Sequence, residues 1–412
     1  MKVRIGFIGL GPRGAGGLLA SLLEMNDVEI KAVCDKREDR LNETLETFKE
    51  QGKELPFATK SEDEVFKRKD IDAVIIATSW NYHIPLVVKA MKAGLYVGFE
   101  VGPVSTIEQC FELVKTYEET GSQCMVMENC CWGKDELTVL NMIKKGLFGE
   151  ISHVEGGYQH DIRIITEAYA TGKERVDHYL KRNLHNYPTH ELGPMMHYLN
   201  INRGNRLMSL TSTASKALGM KQYTLEKLSE DNVLYGSDFA CGDVITTVIK
   251  CAGGETMTLT LNTTLPHPYS RLGKVCGTKG MWSEESGIYV VGRSEEEKWE
   301  SMDNYMAEYE HPLWKKFESI GVQGGHGGMD YLMLRAFINA VKEKKPLPID
   351  IYDSATMLAV SVLSEQSIAL GSAPVYIPDF TNGKWINRKD DNPSIFSVNE
   401  IYDDLYDDIK EI

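Results

Sequence analysis

Val3-Arg4-Ile5-Gly6-Phe7-Ile8-Gly9-Leu10-Gly11-Pro12-Arg13-Gly14 is the stretch that decides how the rest of the chain is read. An apolar run of strand length ends on Gly9-x-Gly11-x-x-Gly14, and Leu18-Leu19-Ala20 follows with helical spacing. A strand, a glycine turn and a helix N-terminus together let backbone N–H groups approach a pyrophosphate, with the positive end of the helix dipole behind them. Glycine turns are common, so the pattern is weak by itself. Asp35 strengthens it: it closes a second apolar run, Glu29 to Cys34, about twenty residues further on, where a carboxylate can hold a ribose 2′-hydroxyl. The reading is a dinucleotide site with NAD preferred over NADP, because a 2′-phosphate beside Asp35 is repelled. Lys36 and Arg37 are read as solvent-facing at a helix start.

Working outward, Ile71–Thr78, Leu95–Glu100 and Gln123–Glu128 read as further buried strands. Helical patterns near 36–51, 84–94 and 105–120 lie between the strands of this first part. Alternation of this kind predicts a doubly wound parallel sheet over residues 1–128. After Glu128 the runs Ile151–Gln159, Asp243–Cys251 and Thr256–Thr263 are longer and alternate polar with apolar residues, as antiparallel strands with one covered face do. Gly253-Gly254 reads as a hairpin turn. Helical patterns near 134–146, 190–200, 328–344 and 354–370 surround these strands. The expectation is an α+β domain over 129–375, with an open, mainly antiparallel sheet, then an acidic C-terminal arm over 376–412 that carries Asp403-Asp404 and Asp407-Asp408.

Across 412 residues, 45 Lys and Arg stand against 60 Asp and Glu, a net charge of −15. Such a surface repels phosphate backbones, so nucleic acid is not an expected partner. No apolar span of about 18 residues and no signal pattern before the first apolar run argue against a membrane and for a cytoplasmic protein. The eight cysteines include no C-x-x-C pair, and Cys130-Cys131 are adjacent, so they are read as reduced, packed thiols. His160, His190 and His326 lack a short-spaced chelating pair, and no metal is expected. The open sheet face needs cover, which predicts a homo-oligomer, a dimer or tetramer.

The glycine loop, Ala77-Thr78, Trp80-Asn81-Tyr82-His83 and Glu100-Val101 together resemble the Gfo/Idh/MocA oxidoreductases. The resemblance implies a Rossmann domain followed by an α/β domain with an open antiparallel sheet. Ordinary dehydrogenases of that family carry Glu-Lys-Pro at the end of the fifth strand; here the stretch is Glu100-Val101-Gly102-Pro103, without lysine. Their Asp-x-Gly-x-His pattern is replaced by Glu191-Leu192-Gly193-Pro194-Met195. Glu128-Asn129, Gly157-Tyr158-Gln159-His160, Tyr187-Pro188-Thr189-His190, Pro268-Tyr269-Ser270-Arg271 and Gly324-Gly325-His326-Gly327-Gly328-Met329-Asp330 resemble the branch of NAD-dependent glycoside hydrolases best known for α-N-acetylgalactosaminidase activity. Glu191 stands where that branch usually has glycine, and is expected to alter the pocket rim.

The loop reading gives Gly9, Gly11, Pro12, Arg13, Gly14 and Asp35 as NAD contacts, with Thr78 at the strand end beside them, and the resemblance adds the positions matching Trp80, Asn81, His83, Glu100, Val101 and Asn129. Those matching Tyr158, Arg175, Tyr187, His190 and Tyr269 meet a small carbohydrate. The implied reaction is redox-neutral. A hydride leaves C3 of the sugar, the ketone acidifies C2, elimination expels the C1 group, water adds, and the hydride returns. This chemistry needs proton shuttles near neutral pH instead of two opposed carboxylates. His190 is the expected principal acid/base, with Tyr158, His160 and Tyr187 as supporting donors and Glu128 orienting or relaying. The alternatives are an NAD(P)-dependent sugar or polyol dehydrogenase on the same scaffold, and a ligand-sensing protein without catalysis.

Overall fold

Residues Val3–Ile8 form β1, buried at nearly every position, as a central strand of a sheet covered on both faces must be. The computed structural model describes residues 2–171, 175–321, 324–390 and 392–406. β1 is joined by β2 (Val28–Cys34), β3 (Phe57–Thr59), β4 (Ala73–Ile76), β5 (Tyr96–Phe99) and β6 (Cys124–Val126). The order is β3-β2-β1-β4-β5-β6, and every pairing is parallel. The strand order reverses beside β1, and the crevice beyond the strand ends at that point is where this class of sheet binds ligands. The edge strand β3, which the sequence reading missed, is only three residues long and begins with an exposed Phe57.

The second sheet contains β7 (Ile151–Gln159), β8 (Leu207–Ala214), β9 (Val244–Cys251), β10 (Thr256–Asn262), β11 (Lys274–Gly277), β12 (Gly280–Ser283), β13 (Gly287–Val290) and β14 (Val375–Tyr376). Its order is β13-β12-β11-β7-β10-β9-β8-β14. All of its pairings are antiparallel except β7 with β10, which are parallel. The Gly253-Gly254 turn does join β9 to β10 as a hairpin, with Gly254 at φ +107°. On β9 and β10 the inner face carries Ile245, Ile249, Met257, Leu259 and Leu261, all buried. The opposite face is rich in threonine.

One helix ties the two sheets together. Ile351–Ala369 is buried along most of its length. Near its start Ser354 Oγ accepts the Val126 N–H of β6 at 3.0 Å, and near its end Ser367 Oγ accepts the Ser212 N–H of β8 at 2.8 Å. A neighbouring helix, Met329–Glu343, places Phe337 against Gly98 of β5. The halves of the site therefore stand on one shared core.

The expected loose acidic arm takes a different form. Ile377, Phe380, Phe396 and Val398 are buried, and the Phe396 carbonyl accepts a hydrogen bond from Trp132 Nε1 at 3.2 Å. Apolar residues spaced through the acidic segment dock it on the core; net charge alone hid them. Asp407 and Asp408 lie outside the described residues.

Candidate active site

The glycine loop closes tightly between β1 and the helical segment that starts at Gly14. Gly9 has φ +98°, and a Cβ there would stand 2.4 Å from the Ala77 carbonyl oxygen; one on Gly14 would stand 2.0 Å from the Gly9 carbonyl oxygen. Both positions exclude a side chain. Gly11 differs: a Cβ there meets nothing closer than Arg40, at 3.7 Å, so its backbone faces open space that a pyrophosphate can enter. Asp35 lies at the loop, with Oδ2 accepting the Leu10 N–H at 2.8 Å and Oδ1 the Arg37 N–H at 2.9 Å. Lys36 reaches Glu62 and Arg37 pairs with Asp39, while Arg40 Nη1 stands 3.5 Å from Asp35 Oδ2. These residues fit a dinucleotide with a free ribose 2′-hydroxyl.

Arg13 turns inward from the loop. Its Nε donates to Glu100 at 2.8 Å, and its two Nη atoms donate to Asp330 at 2.6 and 2.9 Å. Asn129 Nδ2 donates to the same Asp330 carboxylate at 2.8 Å, and His326 Nδ1 is 2.8 Å from it. Burial pushes the Asp330 carboxyl up, but His326 and Arg13 outweigh it and hold it well below the usual carboxylate range. Burial pushes Glu100 up, with Arg13 opposing. The cluster is a fixed floor joining the glycine loop, the end of β5, Asn129 and the Met329–Glu343 helix. In the sequence Asp330 carries one signal of this role, an acid that closes the glycine-rich Gly324–Gly328 stretch at a helix start.

Thr78, Trp80, Asn81 and His83 do not act alike. Trp80 begins the helix Trp80–Lys92 and is buried, while Asn81 is exposed at the mouth. His83 is buried with Nε2 2.8 Å from the Thr78 carbonyl, and burial lowers it to about 4. It is a neutral brace behind the strand end, not a surface facing the cleft. Trp80 packs edge-on against Tyr187 at 5.1 Å and His178 at 5.0 Å, with the Arg175 guanidinium 5.1 Å from its ring. Arg175 also stands 5.7 Å from the Tyr187 ring, so this residue reaches the cluster. His178 was not foreseen.

Gly102, in the Glu100–Pro103 stretch that lacks lysine, abuts the same indole: a Cβ there would lie 2.3 Å from Trp80 Cδ1. Val101 follows Glu100, and its N–H donates to the Glu100 carboxylate at 3.3 Å.

Across from Trp80 lies the Tyr/His group. His190 stands on the first turn of the helix Thr189–Tyr198, and Glu128 caps the short helix Asn129–Trp132. His190 Nδ1 and Glu128 Oε1 are 2.9 Å apart; the imidazole side chain is 13% exposed and the carboxylate 0%. Burial lowers His190, but Glu128 outweighs it and holds the imidazole above its ordinary value. Burial raises Glu128, but His190 outweighs it and holds the carboxyl below its ordinary value. With Nδ1 committed to Glu128, Nε2 remains for proton exchange. The helix can approach Glu128 because of Gly193, where a Cβ would stand 3.0 Å from Glu128 Cγ and 2.8 Å from Cys131 Sγ.

Tyr158 lies over His190 with ring centres 4.6 Å apart, and Tyr187 stacks on His190 at 6.0 Å. Tyr158 Oη and His160 Nδ1 are 2.9 Å apart. Tyr269 is half exposed and meets His160 at 5.4 Å and Tyr158 at 6.0 Å. Burial pushes the Tyr158 and Tyr187 phenols up and the His160 imidazole down, so both phenols keep their protons near neutral pH. Glu191 is not at a rim. Its carboxyl is fully buried, with Oε1 2.9 Å from His185 Nε2. Burial pushes it well up and lowers His185 to about 3.

The three-histidine metal set weighed from the sequence is not what the fold gathers. His326 sits on Asp330 and Arg13. Among the described residues, the donors that lie within 4.8 Å of one another are Glu128, Cys130 and His190. Within that trio Glu128 and His190 are at hydrogen-bond distance, and burial pushes the Cys130 thiol well up, which opposes thiolate ligation.

A parallel nucleotide-binding sheet joined to a second, mainly antiparallel sheet defines an oxidoreductase-type enzyme fold, and its cofactor is NAD. Residues 3–128 match the family described as oxidoreductase family, NAD-binding Rossmann fold, and residues 132–387 match glycosyl hydrolase 109, C-terminal domain. The chain belongs to the glycosyl hydrolase 109 family. It is 39% identical to an alpha-N-acetylgalactosaminidase of Tannerella forsythia, over 94% of this chain and 88% of that protein. A glycosyl hydrolase family 109 protein of Parabacteroides distasonis is also 39% identical, over 94% of this chain and 89% of its own length. Among solved structures, myo-inositol 2-dehydrogenase from Lactobacillus plantarum superposes with a TM-score of 0.66 at 15% identity, covering 92% of this chain and 100% of that one. Scyllo-inositol dehydrogenase from Lactobacillus casei, with bound NAD(H) and scyllo-inositol, gives 0.64 at 14% identity, covering 92% of this chain and 99% of that one. At such identities the likeness is one of fold.

Proposed function

We propose that the protein is an NAD-dependent glycosidase that cleaves a small carbohydrate of the α-N-acetylgalactosaminide class by transient oxidation, elimination, hydration and re-reduction. The observation that carries this is the Glu128–His190 dyad set beside Tyr158 and Tyr187, with Trp80 packed on Tyr187 and no lysine in the Glu100–Pro103 stretch. NAD, held by Gly9–Gly14, Asp35, Thr78, Trp80, Asn81, Glu100, Val101 and Asn129, supplies a reversible hydride acceptor for the sugar.

The remaining work is proton movement by this chain. His190 Nε2 takes the proton next to the oxidised carbon, and Glu128 stabilises the imidazolium that results. Tyr158, coupled to His160, holds or protonates an oxygen on the sugar, and the buried Tyr187 keeps that oxygen from bulk water. Arg175 and Tyr269 line the rim where sugar hydroxyls or an acyl group are held. The stretch Glu100-Val101-Gly102-Pro103 offers no lysine to serve as the proton acceptor of a dehydrogenase.

The test is release of nitrophenol from nitrophenyl glycosides without consumption of free NAD, with solvent deuterium entering C2 of the released sugar. One-for-one consumption of NAD, or release without deuterium at C2, refutes the reading.

Two coarser proposals accompany it. No helix among the described residues is long and apolar enough to cross a membrane, and the eight cysteines are free, which supports a cytoplasmic setting. The uncovered face of the second sheet presents Val248 and Tyr376 among its threonines, with Tyr376 84% exposed, which supports pairing through that face with a second copy. A monomeric mass at micromolar concentration would refute the pairing.

A further inference from the structure

Tyr269 does not stand free at the rim. Two residues on, Arg271 Nη1 donates to Tyr269 Oη at 3.2 Å, and the guanidinium carbon is 5.8 Å from the Tyr269 ring centre. The other end of the guanidinium is anchored: Nε donates to Glu136 Oε1 at 2.6 Å, and Nη2 contacts the same oxygen. Glu136 is buried on the helix Lys134–Lys144. The Arg271 backbone is fixed as well. Its N–H donates to Glu284 at 3.0 Å, and its carbonyl accepts the Gly157 N–H of β7 at 2.5 Å.

A guanidinium has donors and no acceptor. The phenol oxygen must therefore accept from Arg271, and its single O–H proton is directed elsewhere. Burial pushes the phenol up, so that proton stays in place at neutral pH. A charged donor on the oxygen also polarises the O–H and strengthens what it donates.

We propose that Arg271, anchored by Glu136, is a positioning residue that fixes Tyr269 as a hydrogen-bond donor toward the cleft, so that the substrate atom facing Tyr269 is an acceptor oxygen. This rests on the proposed function only for the substrate being a carbohydrate. It selects sugars that present a carbonyl, ring or glycosidic oxygen at that place over those that present a donor.

A double-mutant cycle tests it. Tyr269→Phe and Arg271→Met are each expected to weaken binding about tenfold, the size of a lost charge-assisted hydrogen bond, with kcat changed less than KM. The double variant is expected to lose no more than either single one. Arg271→Lys keeps a donor and is expected to recover part of the loss. Losses that multiply in the double variant, or a lysine variant no better than methionine, overturn the proposal. If Arg271→Met does not fold, Glu136→Gln loosens the anchor and is expected to give an intermediate loss; no loss overturns the proposal.

The cycle is read on KM with a nitrophenyl glycoside and on Kd with N-acetylgalactosamine. A wild type that binds the sugar without cleaving it refutes the glycosidase reading alone, and the Kd cycle still decides the role of Arg271. A third readout needs no sugar. In protein labelled with 13Cζ-tyrosine, the Tyr269 signal, identified by its loss in Tyr269→Phe, is expected to move at neutral pH in Arg271→Met; an unmoved signal overturns the proposal.

Discussion

The Gly9–Gly14 loop, tied through Arg13 to Glu100 and Asp330, and the Tyr187–Glu191 turn are built by opposite means. The loop works through backbone: a missing side chain at Gly9 and Gly14 lets the chain fold back on itself, and one at Gly11 leaves room for a ligand. The turn works through side chains drawn from segments far apart in sequence. Glu128 reaches His190 across 62 positions, and Tyr158 lies over His190 from a strand of the other sheet. A backbone cradle is written in consecutive residues, whereas a side-chain cluster exists only once the sheets have packed.

The contrast can be broken by experiment. His190→Ala removes the acid/base and is expected to lower kcat by about 10²–10⁴ while NAD stays bound, checked by turnover and by cofactor content of the purified protein. Gly14→Ala does the reverse. Its Cβ runs into the Gly9 carbonyl, so cofactor content is expected to fall steeply and activity with it. If NAD content responds equally to both changes, the two regions do not divide the work as described.

Glu128→Gln sharpens the comparison within the turn. His190 is held above its ordinary value chiefly by Glu128, against burial, so its neutral, basic form appears only as pH rises through that raised value. Removing the carboxylate leaves burial opposed only by the weaker pull of Glu191 and Glu100. The acid limb of kcat/KM is then expected to move to lower pH, with a maximum reduced by about 10- to 100-fold, because the imidazolium formed in the reaction loses its partner. The pair's contribution to stability follows the same signs. It is present between the lowered Glu128 and the raised His190 values, and is lost below the first and above the second. A pH profile unchanged by Glu128→Gln would refute the dyad.

The smallest effect is expected at Glu191. A buried carboxyl with a raised pKa binds its proton more tightly folded than unfolded, so stability falls as pH rises through the interval between those two values. Glu191→Gln removes that dependence and is expected to raise stability at neutral pH by about 1 kcal/mol, with activity close to wild type, checked by denaturant unfolding at several pH values. A large activity loss would place Glu191 in the catalytic path.

These differences also set how much could be read before the fold was seen. Strand, glycine turn and Asp35 are local, and the parallel sheet followed from them. The mainly antiparallel second sheet was legible from alternation in β7, β9 and β10, but β11, β12 and β13 span only four residues each and β14 two, too short for a period to show. The Tyr/His/Glu set came from resemblance. Its pairings did not, because nothing in the chain order says that Arg13 meets Asp330, that Arg271 backs Tyr269, or that Glu191 turns inward to His185.

Trp80 has a consequence for how this scaffold can change its trade. The indole fills the space beside Gly102 that an ammonium-bearing residue would need. A single substitution to lysine at 102 collides with the ring, and shrinking the ring first strips Tyr187 and Arg175 of their wall. Positions 80 and 102 are therefore tied: a side chain at 102 requires the ring to move, and the two can change only together.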